Sequence, residues 1–156
     1  MLIRTKHFGE IELDENKILY FDQGILGFED SKRYTIIYDN EDDERPNITW
    51  LQSIDEPGLA IPVISPFLIK PDFNPTVEDE LLPLGEITPE NLVVLVSVTV
   101  PGDVSKISAN LRAPFVINAD TKKGCQVIVD DADYEVKYYF YEQIQAIKAE
   151  KEGRIC

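Results

Sequence analysis

Histidine and cysteine are nearly missing from this chain, which holds one His and two Cys in 156 residues. A closed zinc site needs about four such ligands brought together, so zinc cages of the His and Cys type are excluded. The single histidine, His7, has no sequence context that supplies a nucleophile and an orienting carboxylate, so it reads as a turn or surface residue. Cys125 and Cys156 are too few for a disulfide framework and are expected to be reduced thiols. No apolar run approaches the roughly 18 residues of a membrane span. The N-terminal stretch from Met1 to Lys6 lacks the long apolar region of a secretory signal, so the expected location is the cytoplasm. Basic residues are scarce as well: 15 Lys and Arg stand against 29 Asp and Glu, a net charge of −14. That balance argues against direct binding to nucleic acid or to anionic membranes, both of which need clustered cations. A basic protein partner, or solubility alone, fits it.

What is present is strand-forming sequence. Hydrophobic residues make up 44% of the chain, ordinary for one globular domain of this length, which can bury roughly 70% of its unfolded surface. Glu10–Leu13 alternates with a period of two, and Arg33–Tyr38 is β-branched and aromatic. Thr49–Ser53 and Leu59–Ile64 are separated by Asp55-Glu56-Pro57-Gly58, a turn signal. Leu92–Val100 is the longest apolar run, valine-rich and stopped by Pro101-Gly102, as expected of a central strand buried on both faces. Ile107–Asn110, Phe115–Asn118 and Cys125–Val129 complete the set, with Thr121–Gly124 as a hairpin loop. Pro62 places its segment at an edge or bulge, because proline offers no ladder donor. Helix is expected near the C-terminus, from about Tyr139 to Glu152, where Phe140, Ile144 and Ile147 share a stripe before Gly153. A shorter turn of helix is expected around 77–82, capped by Thr76. The fold class is therefore mainly β: a small antiparallel β-barrel with a short C-terminal helix.

The chemistry motifs are weak. Acidic runs at 39–44 and 130–135 look like loose calcium loops but lack the glycine that an EF-hand loop requires at its sixth position, so they read as solvated turns. Gly24-Ile25-Leu26-Gly27 lacks the Lys-Ser/Thr of a phosphate cradle; its glycines fit a turn that needs positive φ. No pair among the 29 acids stands out as a catalytic couple, and no cofactor or metal is implied. Apolar residues in loop contexts say more. Phe21, Ile25, Leu26 and Phe28 lie among glycines, and Phe67 and Phe73 lie in a proline-bounded segment. They read either as plugs of the barrel ends or as an apolar contact patch rimmed by acids. Trp50, next to Leu51 in a strand, reads as core.

Taken in order, these segments resemble the flagellar assembly factor FliW family. The resemblance rests on Thr5–Ile11, on Phe21 with Gly24–Asp30, on Trp50–Ser53 with Asp55-Glu56-Pro57 and Leu59-Ala60, and on Pro66-Phe67 with Pro71-Asp72. It continues through Ala109–Pro114, Ile117-Asn118, Gly124 with Gln126-Val127, and Tyr134. It covers residues 1–135 as a FliW-like β-barrel domain and leaves 136–156 as a C-terminal extension, longer than the family pattern and read as helical. The resemblance implies a protein without catalytic activity that acts in the cytoplasm through two protein partners. One is flagellin, held before export. The other is the translational repressor CsrA, which silences flagellin messenger RNA and is antagonised once flagellin leaves. A dedicated flagellin chaperone without the regulatory role is the alternative.

The acidic composition suits that mechanism. A body of charge −14 docked beside an RNA-binding surface repels phosphates within about 8 Å at physiological salt. For the partner contacts the sequence points to Phe67, Pro71, Asp72, Asn110, Leu111, Arg112 and Asn118, which combine loop context with mixed polarity. Asn110 and Asn118 equally suit the satisfaction of backbone groups at strand ends.

Overall fold

A computed structural model of the chain describes residues 2–38, 48–74, 84–129 and 133–146. The acidic run at 39–44, Asp130 and Asp131 of the second run, the turn expected at 77–82 and the stretch from Ile147 to Cys156 lie outside the described residues.

Among the described residues eleven strands follow in chain order: β1 (Leu2–Thr5), β2 (Gly9–Glu12), β3 (Leu19–Tyr20), β4 (Arg33–Tyr38), β5 (Thr49–Ser53), β6 (Ala60–Ile64), β7 (Leu92–Thr99), β8 (Ser108–Ala109), β9 (Phe115–Asn118), β10 (Lys123–Gln126) and β11 (Tyr138–Tyr139). A single-turn helix, α1 (Pro66–Ile69), follows β6, and residues 141–146 are helical. Seven strands close into a barrel in the order β7-β6-β5-β4-β3-β10-β9 and back to β7. β8 and β11 extend the sheet from the far half of β7, while β1 and β2 form a separate hairpin. The mainly β barrel expected from the patterning is the observed one, with one exception to its antiparallel rule. β3 and β10 run parallel and meet at a single register pair, Tyr20 opposite Lys123, where the Tyr20 amide donates to the Lys122 carbonyl over 2.8 Å.

Strand alternation sorts most of the side chains into two large cores, beside a small third cluster of Leu84, Val116 and Val127. Leu19, Phe21, Tyr34, Leu51, Val63, Leu95, Phe115 and Ile117 fill the barrel. Their neighbours Ile64, Val96 and Val98 point outward, into a second core with Ile69, Phe73, Ile107, Leu111, Tyr134, Phe140 and Ile144. The long valine-rich run thus works as expected of a central strand: β7 pairs with β6, β8 and β9 and feeds both cores.

Other expectations shift in detail. Pro62 lies in a strand flanked on both sides, opposite Trp50 of β5, but pairing with β7 begins only at Val63, so no ladder donor is missed. β10 starts two residues before the expected Cys125, because the preceding turn is tight: Lys122 takes φ 62° and its amide bonds the Asn118 carbonyl. The expected C-terminal helix begins later, since Tyr138 and Tyr139 pair with β8. Phe140 and Ile144 of its stripe are buried as predicted. Trp50 is half-buried and not core; it faces out of the barrel and stacks edge-on against Phe8 at 5.6 Å, under the β1–β2 hairpin.

Candidate functional site

α1 owes its shape to Pro66, whose fixed φ suits the first helical position and whose missing amide has no partner to lose there. Its four residues divide by face. Pro66 and Ile69 are buried, whereas Phe67 and Leu68 keep 47% and 43% of their surface exposed. The Phe73 amide returns to the Lys70 carbonyl over 2.9 Å and closes the turn through Pro71 and Asp72, both exposed. Lys70, half-buried, meets the exposed Asp72 at 3.4 Å, a pair of little energetic weight because its carboxylate is largely in solvent.

This step is fixed from beneath by the C-terminal segment. Phe67 packs edge-on against Phe73 at 6.0 Å, and Phe73 against Tyr134 at 5.0 Å. The Tyr134 hydroxyl accepts the Asn74 amide over 2.9 Å. The Tyr138 hydroxyl donates to the Ile69 carbonyl over 3.2 Å and accepts from the Gln143 side chain over 2.9 Å. The Lys70 ammonium lies 5.9 Å from the centre of the Tyr138 ring, within cation–π range. The result is an apolar pair raised on a rigid base, with Lys70 and Asp72 beside it.

The loop Asn110–Arg112 joins the same outer core through Leu111. The Leu111 side chain is fully buried with Ile69, Phe73 and Tyr134, and its amide donates to the Glu135 carbonyl over 2.9 Å. The half-buried Asn110 folds its side chain back to accept the Arg112 amide over 3.0 Å. Arg112 is half-buried against the Val129 carbonyl. The fold therefore brings Phe67, Pro71 and Asp72 together at the surface, while Leu111 supports them from inside. Asn118 stands apart. It is buried, its amide nitrogen donates to the Leu84 and Glu86 carbonyls, and its oxygen accepts the Asp120 and Thr121 amides. Leu111 and Asn118 are thus structural in place, not surface residues.

Leu68 completes the exposed pair and sequence reasoning passed over it. The signal was weak: Pro66 to Ile69 are four apolar residues in a row, with no period from which the outward pair could be picked. The glycine-bounded segment splits as well. Phe21 and Ile25 plug the barrel end, while Leu26 and Phe28 are exposed. His7 is exposed in the β1–β2 turn. Among the described residues, no group of three or more His, Cys, Asp or Glu could hold a metal ion, and no helix is long and apolar enough to cross a membrane.

Comparison with known proteins places this geometry in context. The family model described as FliW protein matches residues 2–140. The flagellar assembly factor FliW of Lachnoclostridium phytofermentans is 56% identical over 157 aligned residues, covering all of both chains. The protein of the same name from Lachnospira eligens is 49% identical over 144 residues, covering 91% of this chain and 95% of its own. A crystal structure of the flagellar assembly factor FliW superposes with a TM-score of 0.82 at 30% identity, covering 90% of this chain and 96% of that one.

Proposed function

The chain belongs to the FliW family of flagellar assembly factors, and from that premise we propose that it works in the cytoplasm by binding proteins and catalyses no reaction. It binds flagellin before export. When flagellin is gone it binds and antagonises the translational repressor CsrA, so that flagellin messenger RNA is translated. It does not bind the RNA itself, consistent with its charge of −14.

The observation that carries this reading is the exposed Phe67–Leu68 pair, held rigid by Phe73, Tyr134 and Tyr138. An apolar pair on a preorganised base, on a strongly acidic body, is what a protein-binding surface requires, since little entropy is lost in ordering it. The carboxylate excess supplies the antagonism, because a bound body of this charge repels RNA phosphates without covering the RNA site.

Co-purification from a flagellated host tests the reading, scored for both partners and followed by titration with purified flagellin and CsrA. Recovery of both, with RNA released from CsrA on addition of the protein, is the expected result. Recovery of flagellin alone reduces the function to that of a chaperone, and recovery of neither refutes the proposal.

A further inference from the structure

Among the described residues, β1 and β2 pair only with each other, from Leu2 opposite Glu12 to Thr5 opposite Gly9, and no barrel strand joins their ladder. Neither strand contributes a side chain to a hydrophobic core. Ile3 and Ile11 are half-buried, and Leu2 keeps 60% of its surface in solvent. Thr5 is buried but satisfies its hydroxyl inside the hairpin, accepting the Phe8 amide and donating to the Gly9 carbonyl, both over 2.9 Å. Attachment to the barrel is concentrated at the turn. There the Lys6 amide donates to the Pro57 carbonyl over 3.0 Å, the Lys6 stem lies 3.8 Å from the place a Cβ on Gly58 would take, and Phe8 stacks on Trp50. A polar group is shut in beneath this clasp. Leu51 faces the barrel interior, so Trp50 and Gln52 face outward, toward the turn. Gln52 is fully buried. Its amide nitrogen donates to the Ser53 carbonyl over 2.9 Å and, over 3.3 Å, to the Pro57 carbonyl that Lys6 also uses. Its oxygen has no donor within reach among the described residues.

We propose that the β1–β2 hairpin is a gate, which swings off the folded barrel as a unit about Leu13 and bares Trp50 and Gln52 of β5. A segment that brings no side chain to a core, and closes over an unpaired acceptor, gains little by staying shut. Opening lets water reach the Gln52 oxygen and leaves the cores intact, so it costs far less than unfolding the barrel, as sub-global openings do. The hairpin carries its own cross-strand pairs with it, together with the Thr5 bonds and the Arg4–Glu10 ion pair at 3.1 Å. Leu13 and Ile18, both 5% exposed, keep the chain that follows on the barrel. The outer face of β5 is then a conditional surface. A ligand touching Trp50 or Gln52 binds the open state alone, with its apparent affinity lowered by the open fraction. The inference uses no residue of the α1 step and does not depend on the function proposed above.

The test is native-state hydrogen exchange of the full chain, followed by amide NMR in urea below the unfolding transition. After correction for intrinsic rates, the Lys6 amide is expected to exchange at least about a hundredfold faster than the most protected amides of β7, and with a much smaller urea slope. Phe8→Ala is expected to speed Lys6 exchange about tenfold, the effect of losing one aromatic contact and its burial. Exposure of the β5 face is read separately. Gln52→Cys, with Cys125→Ser and Cys156→Ser removing the native thiols, is expected to react with a thiol reagent at a rate showing the same small urea slope. A Lys6 amide that follows β7 in rate and slope, or one that exchanges without protection, would overturn the gate. So would Lys6 exchange indifferent to Phe8→Ala, or a thiol at position 52 that reacts only when the whole molecule unfolds.

Discussion

The Phe21 ring occupies the space that a side chain at position 124 would need: an ideal Cβ on Gly124 would lie 2.7 Å from Phe21 Cζ. Phe21 is fully buried and stacked edge-on with Tyr34 at 5.4 Å and Phe115 at 6.2 Å, so it has nowhere to withdraw. Gly124→Ala is therefore expected to destabilise the barrel by about 1–3 kcal/mol, the usual cost of overpacking. A lower urea midpoint at unchanged slope is the expected signature; an unchanged midpoint would show that the ring yields.

Phe67→Ser and Leu68→Ser are expected to leave stability within about 1 kcal/mol, because both side chains are already half in solvent. Together they should weaken binding of flagellin or of CsrA by at least about tenfold, the loss typical of an apolar anchor. Parallel thermal melts and titration calorimetry separate the two effects.

Leu111→Ala should behave in the opposite way. Its side chain is buried without remainder in the outer core, and truncation there costs about 2–5 kcal/mol. Asn118→Ala leaves the Asp120 and Thr121 amides without the oxygen they share and takes one of two donors from the Leu84 carbonyl, which keeps the Thr121 hydroxyl, at about 1–3 kcal/mol. Denaturation should register both variants, while the partner affinity of Asn118→Ala, which stands apart from the α1 step, measured well below the unfolding transition should stay within about twofold of the parent, a change of only about 0.4 kcal/mol.

Asp55 gives the fold a pH dependence. Partial burial opposes its ionisation. The amides of Lys32 and Arg33, the Arg33 guanidinium at 2.8 Å and its charge prevail, and hold the carboxyl below the usual carboxylate range. A group with its folded value depressed stabilises the native state at pH above its unfolded value, about 4, and loses that contribution as pH falls through the folded value. Asp55→Asn should therefore unfold earlier than the parent at pH 7, with the gap narrowing below about pH 4. A gap that widens on acidification would contradict the assignment.

How much of this could be read without coordinates depended on how local the cause was. Arg33–Tyr38, Thr49–Ser53 and Phe115–Asn118 coincide with observed strands because branched and aromatic residues there fit a half-buried pleat whatever pairs with them. β3 and β11 hold two residues each, too few for any period to show, and Tyr138–Tyr139 is drawn from helix to strand by β8. Among the contact candidates, Phe67, Pro71 and Asp72 cluster because they are neighbours in sequence. Leu111 looked like a surface residue among polar neighbours, and only the fold over it, by Phe73 and Tyr134, makes it core. The parallel seam was illegible for the same reason, since Tyr20 and Lys123 meet across about a hundred residues.

That distance has a kinetic side. The rung from Tyr20 to the Lys122 carbonyl joins the chain's early and late thirds, and contacts of such long span are the slowest to form, since the loop entropy is lost before any reward arrives. β4 to β6, joined by successive antiparallel neighbours, can zip without it. The cylinder is thus sealed last at its weakest hoop, and the Tyr20 amide should be among the first of the sheet to exchange its hydrogen with solvent while the molecule is otherwise intact.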